Sequence, residues 1–141
     1  MPAAPTSAGQ KALRAALQNK VFDPVYYLHG AEDYLKDETV RQIIEAAVEP
    51  ATRDFNLEVL RGADVDGEGL GSLLGTPPMM AERRVVILRD VASLKKDARR
   101  ALDRYLERPA SDVVLVLVAA AGSKEDRAMA ERGTAIEFEP L

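Results

Sequence analysis

Eight residues, Gly30-Ala31-Glu32-Asp33-Tyr34-Leu35-Lys36-Asp37, come nearest in this chain to a loop that handles phosphates. Laid over the pattern G-x4-G-K-[ST], Gly30 and Lys36 fit. Leu35 stands where the second glycine belongs, and Asp37 stands where the magnesium-binding hydroxyl belongs. A phosphate cradle needs free main-chain N–H groups and positive potential, and the carboxylates Glu32, Asp33 and Asp37 would repel a triphosphate. The plainer reading is a strand-to-helix turn in which Asp33 caps the helix and the acids favour its positive end. Two further positions fail in the same way. Leu88-Arg89-Asp90 offers one acid where an ATPase would place an Asp-Glu pair, and Asp90 reads as a turn cap. Ala119, Ala120 and Ala121 offer nothing polar to sense a γ-phosphate. Nucleotide hydrolysis is not expected.

Other chemistries are thinner still. The chain has no cysteine, so thiolate metal sites, disulfides and cysteine nucleophiles are excluded. Its one histidine, His29, ends an apolar run with no acid or nucleophile beside it in sequence, and reads as a partly buried, hydrogen-bonded side chain. No G-x-G-x-x-G is present for a dinucleotide. A phosphoacceptor receiver would need a lysine after the last strand, where Glu139-Pro140-Leu141 stands. Lys95-Lys96 and Arg99-Arg100 lie beside Asp97 and Asp103 at the start of an amphipathic stretch, as a solvated face with local ion pairs does. The formal net charge is −4, which leaves counterion release little to act through, and little direct DNA binding is expected. No cofactor is implied.

One segment resists a purely structural reading. Thr76-Pro77-Pro78-Met79-Met80-Ala81-Glu82-Arg83-Arg84 breaks a preceding helix with two prolines and then places two methionines side by side. In a loop, both cannot follow one stripe into the core. At least one is expected to protrude, as adaptable, unbranched side chains do when they fill a partner's pocket. The alternative is that the pair closes the bottom of the core.

The elements that must position these residues follow from hydrophobic period. Met1 to Ser7 is a loose arm, with Ser7 able to cap a helix to about Asn19; the domain is set at 9–141 with residues 1–8 as the arm. Val25–His29 is a buried strand ending at Gly30. A helix from about Asp33 to Val48 carries Val40, Ile43, Ile44, Ala47 and Val48 at helical spacing. Asn56 to Leu60 alternates as a strand. Residues 66–75, with Gly67, Gly69, Gly71 and Gly75, form a short, weak helix. Val85–Leu88 is a strand, Asp97–Glu107 a helix, and Val113–Val118 (VVLVLV) a central strand covered on both faces. A short helix near Lys124–Glu131 and a strand Ala135–Phe138 end the order. Strands alternating with helices predict a three-layer α/β sandwich with a five-stranded parallel sheet, in one domain. No run approaches a membrane span and no leader is visible, so a cytoplasmic protein is expected.

At this resolution the chain resembles a known family. PVYYLHGAEDYLKDE (24–38), FNLEVLRG (55–62), MAERRVVILRD (80–90), DVVLVLVA (112–119) and IEFEPL (136–141) look like the delta subunit of the bacterial DNA polymerase III clamp loader. The resemblance implies an N-terminal AAA+-like domain of P-loop NTPase type, whose nucleotide site (Gly30, Leu35, Lys36, Asp37) is degenerate. It implies a domain without ATP hydrolysis of its own, within a polymerase holoenzyme. It also implies a partner, the ring-shaped sliding clamp, which the domain binds and helps to open. The hydrophobic pair just before the third strand corresponds to Met79 and Met80, with Pro78 and Leu74 as neighbours. That pair differs from the Leu-Phe type associated with the family. The lid and collar domains would lie outside 9–141, and contacts with other loader subunits would run through them. The rival expectations are a nucleotide-dependent domain acting through Lys36 and a receiver-like signalling domain acting through Asp90.

Overall fold

A computed structural model describes residues 8–139. The arm at Met1 to Ser7, with the Ser7 cap, and the last two residues lie outside them. The elements run α1 (Ala8–Asn19), β1 (Val25–His29), α2 (Asp33–Ala47), α3 (Arg53–Asn56), β2 (Leu57–Arg61), α4 (Gly67–Leu74), β3 (Arg84–Arg89), α5 (Lys96–Glu107), β4 (Val113–Val118), α6 (Arg127–Arg132) and β5 (Thr134–Glu137).

The five strands form one parallel sheet in the order β2-β3-β4-β1-β5. Alternation along the strands sorts side chains into two cores. Tyr26, Leu28, Val85, Ile87, Val114, Val116 and Val118 face α1 and α2, meeting Leu13, Val40 and Ile43. Val25, Tyr27, Val86, Leu88, Val113, Leu115 and Leu117 face α4, α5 and α6, meeting Leu70, Leu102 and Met129. Every residue of β4 is buried, as a central parallel strand with helices on both faces requires. The glycine-rich α4 is held by tertiary means. Asp66 accepts from Gly69 N–H as its N-cap, and Gly67 N–H donates to Asp97 Oδ2 at 2.8 Å. A Cβ on Gly67 would stand 2.7 Å from Asp97 O, so only glycine lets α4 approach α5 this closely.

Several expected boundaries move. Glu32, not Asp33, caps α2, accepting from Tyr34 N–H; Asp33 lies within the first turn and pairs with Lys36. Val48 leaves helical space as the C-cap. Asn56 closes α3 instead of opening β2, because its buried side chain is used for tertiary hydrogen bonds. The sixth helix starts at Arg127, capped by Asp126, and β5 begins at Thr134. Arg99 is not simply solvated. It makes a two-pronged ion pair with Asp126 across to α6, as well as the expected pair with Asp103 at 3.0 Å.

Candidate functional site

All strands are parallel, so the fold has two chemically different ends. At the C-terminal end lies the Gly30–Asp37 loop. Gly30 has φ of 114°, and a Cβ there would meet Phe138 O at 2.3 Å. The loop is tied down on the chain leaving β5: Phe138 N–H donates to His29 O, and Glu32 N–H to Phe138 O. Lys36, 1% exposed, turns inward. Its Nζ donates to Gly30 O and Ala119 O, both at 2.7 Å, and lies 3.0 Å from Asp33 Oδ1. An ammonium has three N–H donors, and here all three have acceptors. The lysine tail thus stitches β1, α2 and β4 together.

The rest of that end is also paired internally. Arg89 donates to Asp37 at 2.8 Å, and Arg61 lies 3.9 Å from Asp90. Asp90, at φ of 52°, sits at the turn after β3, where Ser93 Oγ donates to its carboxylate. Between these groups is a recess of about 250 Å³ lined by three acids and three bases. Each cation of the recess, Lys36, Arg61 and Arg89, lies within 4 Å of a carboxylate. Leu35 is partly buried and packs against the core on the α2 side. His29 stacks on Tyr27 with ring centroids 5.0 Å apart, 3.9 Å from Glu125. Burial lowers its pKa below the ordinary 6.5, so the ring is neutral at pH 7. Among the described residues no cluster of His, Asp and Glu is placed to hold a metal.

At the N-terminal end lies the loop between α4 and β3. Its start is closed by Gly75 N–H to Gly71 O, Thr76 N–H to Leu73 O, and Thr76 Oγ1 to Ser72 O. Pro77 is exposed and Pro78 half-buried. Met79 and Met80 are then 53% and 82% exposed. Met80 takes a left-handed conformation, φ 57°, which residues other than glycine, asparagine and aspartate seldom adopt.

The loop is nonetheless pinned. Asn56 Nδ2 donates to Met79 O, and Met79 N–H donates to Asn56 Oδ1, both at 2.7 Å; the same amide nitrogen reaches Thr52 Oγ1 at 3.0 Å. On the far side, the Arg83 guanidinium lies 5.2 Å over the Phe22 ring and donates to Lys20 O at 3.1 Å. Arg84 is buried beneath the end of α4, reaching toward Leu73 O. Leu74 does not join the exposed pair: it is 2% exposed, packed in the core between α4 and α5, because it falls on the same helical face as Leu70. Its assignment to a partner contact is therefore corrected. Asn56 was hidden from sequence reading, since a polar residue beginning an alternating run looks like a strand end and nothing local marks its bond to Met79.

A doubly covered parallel sheet of this order is the AAA+-like α/β class, and solved structures of low identity agree. A Thermotoga maritima DNA polymerase III gamma subunit-related protein superposes with a TM-score of 0.67 at 18% identity, over 92% of this chain and 46% of that one. Within that class the family is specific. The family model for "DNA polymerase III, delta subunit" matches residues 26–132, and the chain belongs to this family. A Bacillus subtilis DNA polymerase III subunit delta is 36% identical, over 68% of this chain and 30% of that relative. A solved Bacillus subtilis DNA clamp loader delta protein superposes with a TM-score of 0.80 at 31% identity, covering 92% of this chain and 42% of that one. The chain thus spans less than half the length of these relatives. No helix among the described residues is long and apolar enough to cross a membrane.

Proposed function

We propose that this chain is the AAA+-like, clamp-engaging part of a clamp-loader delta subunit. It docks on the sliding clamp through Met79 and Met80, helps to open the ring, and neither binds nor hydrolyses ATP. The observation that carries the reading is the pinned loop. Two adjacent methionines stand in water on a segment whose main chain is held by Asn56 and whose exit is held by Arg83. Leaving two flexible apolar side chains solvated on a fixed backbone has no evident benefit to folding. It suits an anchor that must enter a pocket with little ordering cost. Pro78 shapes the loop beside them.

The other end of the sheet supports the second half of the reading. Lys36 has all its donors engaged, and Arg61 and Arg89 each stand beside a carboxylate, a setting that does not favour a triphosphate. The two ends are separated by the length of β3, six residues or about 17 Å along the strand axis. Equilibrium titration of the chain against the sliding clamp of the same organism tests the reading. Saturable binding with one chain per docking pocket supports it, and no binding at tens of micromolar overturns it.

A further inference from the structure

We propose that Phe55 is a third apolar anchor of the docking surface, so that the face offered to the ring is Phe55, Met79 and Met80 together. The inference rests on the clamp reading above and names a further contact residue within it. Phe55 is 59% exposed, although it is the largest apolar side chain of its segment and stands two residues before Leu57, which packs against the core. Its position is tied to the methionines through a single side chain. Asn56, the next residue, is fully buried and holds both main-chain polar groups of Met79. A helix advances about 100° per residue, so Phe55 flanks the Asn56 pin instead of opposing it. The α3 turn and the methionine loop are thus one unit, fixed to each other before any partner arrives.

The surroundings have the composition of an interface centre with its rim. Arg53, Asp54 and Glu82 are exposed on the segments that carry Phe55 and the methionines. Apolar anchors encircled by charged residues are the usual anatomy of a docking patch. A phenyl ring adds rigid area that two methionines lack, with only two side-chain torsions to freeze. Tyr34, also exposed, serves as a contrast, since it stands in the first turn of α2 at the opposite end of the sheet.

The chain contains no cysteine, so one introduced thiol reports one position. Two measurements test the proposal on the whole chain: clamp affinity of Phe55→Ala, and alkylation of Phe55→Cys and Tyr34→Cys with and without saturating clamp. The expected result is a loss of about tenfold or more in affinity for Phe55→Ala. Alkylation at position 55 should slow at least several-fold in the complex while position 34 reacts at its free rate. If the unsubstituted chain does not bind at all, the clamp reading fails and this inference with it. If it binds, and Phe55→Ala stays within twofold of the parent, the inference alone is overturned. Should Phe55→Ala fail to fold, the footprint decides: equal alkylation of position 55 in free and bound chain overturns the proposal.

Discussion

The side-chain amide of Asn56 pairs with the main chain of Met79 through two hydrogen bonds, each 2.7 Å, across 23 positions of sequence. This turns what would be an ordinary loop into a presented one. The methionine's N–H and C=O are satisfied by a group that is itself buried, so the loop's position follows the core of the domain. Substituting Asn56→Ala strands both main-chain groups and should cost about 1–3 kcal/mol of stability. Amide exchange separates this local effect from global loss: the Met79 N–H should exchange much faster in the variant, well before the β4 amides do. Protection of Met79 unchanged in Asn56→Ala would count against the pin.

Lys36 is the second buried polar anchor, and it makes a prediction about nucleotide. With all three N–H donors engaged, ATP and magnesium should neither release heat on titration nor raise the unfolding temperature, since only a ligand that binds the native state stabilises it. Lys36→Met should lower stability by about 1–3 kcal/mol, because the Gly30 and Ala119 carbonyls lose their donor. A micromolar dissociation constant for ATP, abolished by Lys36→Ala, would contradict the account.

His29 sets a pH dependence. Burial depresses its folded pKa below 6.5, with Glu125 and Glu139 pulling the other way and Lys36 adding to the depression. Below 6.5 the unfolded chain binds the proton more readily than the folded one. Its contribution is therefore fully present above pH 6.5 and is lost as pH falls from there through the folded value. Urea midpoints at pH 7.5 and 5.5 should differ more for the wild type than for His29→Gln. An equal or steeper fall in the variant would rule His29 out as the source.

Much of the architecture was legible because its signals are local. VVLVLV permits only a strand buried on both faces, and the spacing of Ala98, Ala101, Leu102 and Leu106 permits only one helical stripe, which the core of α5 matches. The failures share one cause: they turn on partners far away in sequence. Asn56 was read as a strand residue because its bond to Met79 spans 23 positions. Leu74 entered the partner contact only through the family resemblance, as a neighbour of the methionine pair, although its helical face belongs with Leu70 in the core. Lys36 fitted the phosphate-loop pattern, and its structural use was not legible because nothing local shows that Ala119 O, 83 positions on, accepts its hydrogen bond. Arg99 likewise looked solvated until Asp126 came to meet it.

DNA should bind weakly. With 23 acidic residues against 19 Lys and Arg, a net charge of −4, phosphate contacts have no excess of cations through which to displace counterions. Anisotropy titrations on a primed duplex should show only weak binding at 150 mM salt. Tight binding with a steep salt slope would contradict this.

The most direct test of the account is the double substitution Met79→Ala with Met80→Ala, read by denaturant unfolding and by clamp titration together. Both side chains are exposed in the free chain, so truncation should change stability by no more than about 0.5 kcal/mol each. If they are the anchors, the same change should weaken clamp binding by about 2 kcal/mol or more, roughly thirtyfold. An unfolding midpoint that stays put while clamp affinity collapses is the predicted result. Clamp affinity preserved in a chain that melts early would contradict it.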